Sequence, residues 1–208
     1  MKNVYIIGTG LIGGSFALNL KAINPNVIIH GIDNNNEHLS EALALGLIHQ
    51  KATLKHIVNA DLVVLAIPVN ATLELLPTVL DLLPSQGIVI DMGSTKAAIC
   101  QAVDTHPNRS RFLANHPIAG TEFSGPKAAH QSLFFNKTNI ICDLEKTNEK
   151  AAKAMIEVFE AMGMNIRYMD ATEHDKQIAY VSHLSHISSF MLGKTVIDKE
   201  KNERNIFD

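Results

Sequence analysis

Gly8-Thr9-Gly10-Leu11-Ile12-Gly13 fits the pattern G-x-G-x-x-G. Its chemistry lies in what the side chains leave open. The glycines allow a tight turn, bring backbone close to a pyrophosphate and let a helix pack against a strand. The helix N-terminus then presents unpaired N–H groups to the phosphate charge. Leu11 and Ile12 belong to the same cofactor-facing turn. Asp33 follows Gly13 at the interval of about twenty residues where a carboxylate accepts hydrogen bonds from adenosine ribose hydroxyls. That carboxylate repels a 2′-phosphate, and Asn34-Asn35-Asn36 supplies no arginine to hold one, so the expected cofactor is NAD rather than NADP. The plain alternative is a tight turn with a solvated aspartate.

Three later segments are expected at the same edge. Ala66-Ile67-Pro68-Val69 closes an apolar strand where ligands of such sheets bind, although proline is also an ordinary strand terminator. In Asp91-Met92-Gly93-Ser94-Thr95-Lys96, Ser94 either caps the next helix or stands beside the nicotinamide end of a dinucleotide. The run Asn115-His116-Pro117-Ile118-Ala119-Gly120-Thr121-Glu122-Phe123-Ser124-Gly125 is expected to open as a loop after a short strand. A histidine there accepts a hydroxyl proton near neutral pH, and Glu122 contacts substrate or sets charge at the mouth. The alternative for His116 is a loop histidine bonded to backbone.

His183 and His186 lie three apart on a predicted helix and so face one way. A metal pair would need the third and fourth ligands that zinc requires, and none is spaced to supply them; no metal is expected. They either pack in the core or line the substrate side of the cleft, and the second reading is adopted. His30, His38, His49, His56, His106, His130 and His174 have no comparable context and are expected at the surface or at strand ends.

The elements that must position these residues alternate. Strands are predicted at 4–7, 27–32, 62–67, 88–90, 112–114, 139–142 and 165–169. Helices are predicted at 11–22, 37–45, 72–83, 95–103 and 148–162. Apolar strands alternating with short helices predict an α/β, Rossmann-type, doubly wound and mostly parallel sheet. From Ala171 to about Lys199 one long helix is expected, with Ile178, Val181, Leu184, Ile187, Met191 and Val196 on its apolar side. The predicted division is a dinucleotide-binding domain over 1–170 and the start of an all-helical domain over 171–208.

Composition agrees. In 208 residues, 46% are hydrophobic and 19% charged, enough for a sizeable core and against disorder. Eighteen Lys+Arg against 21 Asp+Glu give a formal charge of -3 without a basic tract, which argues against nucleic acid or an anionic membrane as partner. The longest apolar run, Leu62–Val69, is far short of a membrane span. No signal peptide is read at Met1-Lys2-Asn3, and two cysteines without metal spacing fit a reduced, cytoplasmic protein.

Taken together, Gly8-x-Gly10-x-x-Gly13-Gly14-Ser15, Asp91-x-Gly93-Ser94-x-Lys96, the His116–Gly125 loop and Val181-Ser182-His183-Leu184-x-His186 resemble the prephenate dehydrogenases, in that family's order and separations over essentially the whole chain. The resemblance implies NAD-dependent oxidative decarboxylation of prephenate to 4-hydroxyphenylpyruvate, in tyrosine biosynthesis, or of arogenate to tyrosine. It implies that His116 accepts the ring hydroxyl proton as hydride leaves the same carbon, and that Ser94 hydrogen-bonds His116. Thr121, Glu122, His183 and His186 would face the substrate, and a homodimer would form in the full-length protein. Such enzymes continue through further helices and a glycine-rich segment with an arginine for a substrate carboxylate. This chain ends at Asp208, about where that segment would begin, and Arg204 is not at the motif position. The β-hydroxyacid dehydrogenases are a weaker match, because they use a lysine with an asparagine four residues on, whereas Lys176 and Lys194 are followed there by Tyr180 and Asp198. A non-catalytic NAD-binding or regulatory module is the alternative from another class, and a fusion to a mutase or regulatory domain is a third arrangement.

Overall fold

A computed structural model describes residues 1–180 and 189–195. Eight strands form one sheet in the order β3-β2-β1-β4-β5-β6-β7-β8. They are β1 (Asn3–Ile7), β2 (Ile28–Ile32), β3 (Gln50–Lys51), β4 (Leu62–Leu65), β5 (Ile88–Asp91), β6 (Phe112–Pro117), β7 (Thr138–Cys142) and β8 (Asn165–Met169). All pairs are parallel except β6 with β7. The helices are α1 (Leu11–Ile23), α2 (Asn36–Ala44), α3 (Val69–Leu82), α4 (Ala97–Ala102), α5 (Glu149–Ala161) and α6 (Ala171–Ile178).

Strands covered on both faces must be apolar throughout, and β4 and β5 are buried at every position. On one face Phe16 of α1 meets Phe134 and Phe159 edge-on, beside Leu20, Met155 and Leu39. On the other, Leu76, Val79 and Leu80 of α3 and Ile99 of α4 cover Tyr5, Ile7, Val63 and Leu65. The strand order reverses between β1 and β4, which opens a crevice at their carboxyl ends.

Where the structure departs from the sequence-based elements, tertiary partners are the cause. His116 lies within β6 rather than on a loop after residue 114, because residues 114–117 leave β5 and pair antiparallel with β7, His116 opposite Ile140. Helix α3 begins at Val69, not 72, and the Thr72 hydroxyl bonds back to the Pro68 carbonyl from inside the first turn. Helix α4 is shorter than predicted, and neither Ser94 nor Thr95 caps it. Strand β3 is two exposed residues, too short to show a pattern. Of the long helix expected over 171–199, α6 and residues 189–195 are helical, and 181–188 and 196–199 lie outside the described residues.

Candidate functional site

The glycine turn joins β1 to α1 at the reversal point. Gly8 has φ +93°, and a Cβ there would stand 2.3 Å from the Ala66 carbonyl oxygen, so only glycine fits between β1 and β4. A Cβ on Gly13 would lie 2.0 Å from the Gly8 carbonyl oxygen, which is the close helix–strand contact expected of that position. Gly10 differs. It stands at the N-cap of α1, no side chain caps the helix, and the nearest atoms to a Cβ there are 3.9 Å away. The first N–H groups of α1 therefore face open space, as an anion site at a helix N-terminus requires.

Asp33 follows β2. Its Oδ2 accepts from the Thr9 N–H at 2.8 Å and the Thr9 hydroxyl at 3.0 Å, and its Oδ1 from the Asn35 N–H at 2.9 Å. Oδ2 is thereby filled, while Oδ1 keeps a lone pair for a ribose hydroxyl. A cleft of about 500 Å³ runs beside it, lined by Gly8, Ile32, Leu54, Ile67, Pro68 and Leu75 among others. Apolar walls for a flat base, a carboxylate for a diol and bare N–H groups for phosphate together fit a dinucleotide. Gly14 and Ser15 have a different task. A Cβ on Gly14 would meet the Ala129 Cβ at 2.7 Å, and the Ser15 hydroxyl accepts from the His130 N–H at 3.0 Å. Asn19 adds a bond to the Gln131 carbonyl at 2.8 Å. These residues moor the segment that follows the His116 strand onto α1.

At the other end of the crevice, His116 is held from two sides. On the backbone side, Asp91 and Lys96 form an ion pair in which both side chains are fully buried. The Lys96 ammonium donates to the Asn115 carbonyl at 3.0 Å, and Asp91 accepts the Asn115 N–H at 3.3 Å and the Gly93 N–H at 3.0 Å. Burial raises the Asp91 carboxyl above its ordinary value, opposed by Lys96 and these N–H donors.

On the side-chain side, His116 Nδ1 is 2.9 Å from His174 Nε2, and His174 Nδ1 is 2.7 Å from Asp175 Oδ1. The two rings meet edge-on, 5.1 Å between centroids. Asp175 in turn accepts the N–H groups of Lys96 at 2.7 Å and Ala97 at 2.9 Å, and so caps α4 from a distant helix. Partial burial opposes its ionisation, but the Lys96 N–H, the His174 ring and the Ala97 N–H hold its carboxyl below the ordinary value. Burial first, then His174 and Lys96, lower His116 to about 3, with Asp175 pulling the other way. His116 is therefore neutral at physiological pH, as a general base must be.

The expected site residues are brought together unevenly. The cofactor turn, Asp33, Ala66, Ile67 and Pro68 gather at the crevice. Ser94 is exposed, and among the described residues it makes no hydrogen bond to His116, whose Nδ1 is taken by His174. Thr121 and Glu122 are exposed on the loop after β6, where the Thr121 hydroxyl accepts the Phe123 N–H at 3.2 Å. His183 and His186 lie outside the described residues. His174, expected at the surface, has no exposed area, because α6 folds back over β6. His30, expected at a strand end, is buried in mid-β2 against Tyr5. The sequence signal for His174 and Asp175 is a His-Asp pair one turn into a helix capped by Asp170. No group of three or more metal-binding side chains gathers among the described residues, and no helix there is long and apolar enough to cross a membrane.

Residues 16–168 match the family model described as the prephenate dehydrogenase nucleotide-binding domain, and residues 170–208 match the model of its dimerization domain. A prephenate dehydrogenase of Lactococcus lactis is 35% identical over 191 residues, 90% of this chain and 52% of the relative. A cyclohexadienyl dehydrogenase of Zymomonas mobilis is 31% identical over 205 residues, 98% of this chain and 70% of the relative. The structure of Aquifex aeolicus prephenate dehydrogenase with hydroxyphenyl propionate and NAD+ superposes with a TM-score of 0.87 at 34% identity, covering 95% of this chain and 70% of that one. The chain spans about half the length of the first of these relatives. A nucleotide-binding family model over residues 16–168, together with a relative 31% identical and covered over 70% of its length, makes this chain a member of the prephenate dehydrogenase family.

Proposed function

We propose that the whole protein catalyses NAD-dependent oxidative decarboxylation of prephenate to 4-hydroxyphenylpyruvate, with His116 as general base. The observation that carries this reading is a neutral histidine held at the carboxyl edge of a sheet whose glycine turn fits a dinucleotide. Gly8, Gly10, Leu11, Ile12 and Gly13 would take the pyrophosphate, Asp33 the ribose, and Ala66, Ile67 and Pro68 the wall of the cleft. Residues 1–170 would form the cofactor unit, and 171–208 would begin the helical one.

Bound NAD supplies the hydride acceptor. His116 takes the proton of the ring hydroxyl on Nε2, which raises electron density on the carbinol carbon as its hydrogen departs as hydride. The bond to the ring carboxylate then breaks, carbon dioxide leaves and its electron pair makes the ring aromatic. The phenolate oxygen recovers the proton from His116, which ends the cycle neutral. Ser94 would stand beside the nicotinamide, and Thr121, Glu122, His183 and His186 would face the substrate, so that the chain mainly aligns donor, base and acceptor.

The cyclohexadienyl name of the Zymomonas relative favours a second reading in which arogenate is taken as well or instead. The ring chemistry is the same, and only the side-chain keto or amino group differs. The test is appearance of reduced nicotinamide on adding prephenate or arogenate with NAD to the full-length protein and to its His116→Asn variant. Turnover of prephenate that falls by about 10²–10⁴-fold in the variant, with NAD affinity kept, is expected. Turnover of arogenate alone transfers the reading to that substrate. Absence of turnover with both, NAD still binding, leaves a nucleotide-binding module.

A homodimer is the expected partner arrangement, supported by the dimerization-domain match and by exposed Tyr180, Phe190, Met191 and Leu192. A reducing, cytoplasmic location is supported by Cys100 and Cys142, both buried and unbridged. Burial pushes the Cys100 thiol up to about 12 and raises Cys142 as well, so neither is a nucleophile.

A further inference from the structure

We infer that His174 and Asp175 form a positioning relay that fixes the tautomer of His116 and steadies the charge it acquires. The inference rests on the reading of His116 as the base. Hydrogen positions follow from the bonding pattern, read from its anchored end. Asp175 accepts at both oxygens, from the N–H groups of Lys96 and Ala97, so its carboxylate is pinned. An ionised carboxylate accepts only, so His174 Nδ1 carries the proton in the 2.7 Å contact. A His174 ring with that single proton accepts at Nε2, and His116 then donates from Nδ1 across 2.9 Å. That leaves the lone pair of His116 on Nε2, which no other described residue engages.

The arrangement does two things. It removes the rotation and tautomer exchange that a half-buried imidazole would otherwise keep, and so presents one nitrogen to the substrate hydroxyl. It also meets the charge that appears when His116 takes the proton, because the imidazolium is linked through His174 to the Asp175 carboxylate. The titratable and charged groups facing His116 are Asp175 and His174 on α6, and Lys96 with its partner Asp91 between β5 and α4. Of these His174 and Lys96 disfavour the imidazolium, Asp91 offsets Lys96, and Asp175 favours it. A purely structural role for the pair accounts for the α4 cap but not for a fully buried second imidazole inserted between the cap and His116.

The test uses Asp175→Asn and His174→Gln in the full-length protein, beside His116→Asn. Asparagine keeps an oxygen to cap α4 while removing the charge. The expected result is a fall of about tenfold or more in kcat, with KM and NAD affinity within about twofold. In Asp175→Asn the acid limb of the kcat profile should also move to lower pH, since Asp175 is the group that raises His116. Unchanged kcat and an unmoved acid limb in both variants, with His116→Asn inactive, would overturn the relay and leave the base. Full turnover in His116→Asn would remove the base and the relay with it. Should both relay variants fail to fold, imidazole 15N shifts of the unmodified protein decide. Protonated Nδ1 and bare Nε2 on His116 at neutral pH support the relay, and the opposite tautomer overturns it.

Discussion

The two ends of the crevice are built on different principles. The nucleotide end is made of backbone and missing side chains: Gly8 and Gly13 bring main chain together, Gly10 leaves space before α1, and Asp33 arrives only one β-α-β unit later. The His116 end is made of side chains drawn from β5, β6, the start of α4 and α6, joined through a buried ion pair and a chain of rings. The first is local and tolerates solvent. The second is assembled over long sequence separations and exists only while water is excluded. Substitutions at the two ends should therefore separate binding from stability in opposite ways.

The largest expected effect is at the ion pair. Lys96→Met leaves the Asp91 charge buried without its partner and frees the Asn115 carbonyl beside His116. Denaturant unfolding should show a loss of about 3–5 kcal/mol. The double variant Asp91→Asn with Lys96→Met removes the stranded charge and should recover at least half of it. If Lys96→Met alone cost no more than a surface pair, about 0–1 kcal/mol, the contrast between the two ends would collapse.

Next in size is a pH effect. Burial, then His174 and Lys96, hold folded His116 at about 3 against 6.5 for the free side chain. As pH falls, the unfolded chain takes up that proton first, so its contribution is intact above 6.5 and is lost between 6.5 and about 3. The slope from this one group is at most about 1.4 kcal/mol per pH unit. Thermal or denaturant stability of His116→Asn should decline less steeply across that window than that of the unmodified chain. Parallel curves would show that His116 is not desolvated in the fold.

The same contrast governs how much of the molecule is legible in its sequence. The glycine turn, its strand and helix, and Asp33 are legible because their physics is written in neighbouring residues: missing Cβ atoms, an apolar run and a fixed interval. The alternating elements are legible for the same reason, to within a few residues at their ends. His116 stands out as a candidate base, yet its place inside β6 does not, because pairing with β7 is a long-range event. His174 and Asp175 do not stand out at all. A histidine on a polar helical turn looks solvated until α6 is known to lie against β6 and to cap α4. Gly14 and Ser15 fit a family pattern, while their work of mooring residues 129–131 on α1 shows only in three dimensions.

At the nucleotide end the effects should be smaller and fall on binding. Asp33→Ala removes the carboxylate proposed to accept from the ribose and to repel a 2′-phosphate. The ratio of NAD to NADP affinity should narrow by about tenfold or more, in keeping with about 1.5–3 kcal/mol for a hydrogen bond to a charged group. Part of the loss will come from Thr9, whose N–H and hydroxyl both donate to Asp33. Measuring both cofactors cancels that shared part, and an unchanged ratio would remove Asp33 from cofactor choice.

The smallest stability effect, and the sharpest use of the comparison, belongs to Gly10→Ala. Gly8 and Gly13 have no room for a Cβ, so alanine there strains the fold whether or not a nucleotide binds. Gly10 has φ -74° and nothing closer than 3.9 Å to a Cβ, so alanine fits the chain as it stands. Folding stability should stay within about 0.5 kcal/mol of the unmodified chain. The added methyl nevertheless occupies the space in front of the first turn of α1, where a pyrophosphate must approach the bare N–H groups. NAD titration should therefore show affinity weakened by about tenfold or more, with folding unaltered. Unaltered binding would place the phosphates elsewhere and deprive the crevice of its strongest backbone argument. A loss of stability equal to that of Gly13→Ala would mean instead that the third glycine and the second do the same packing work.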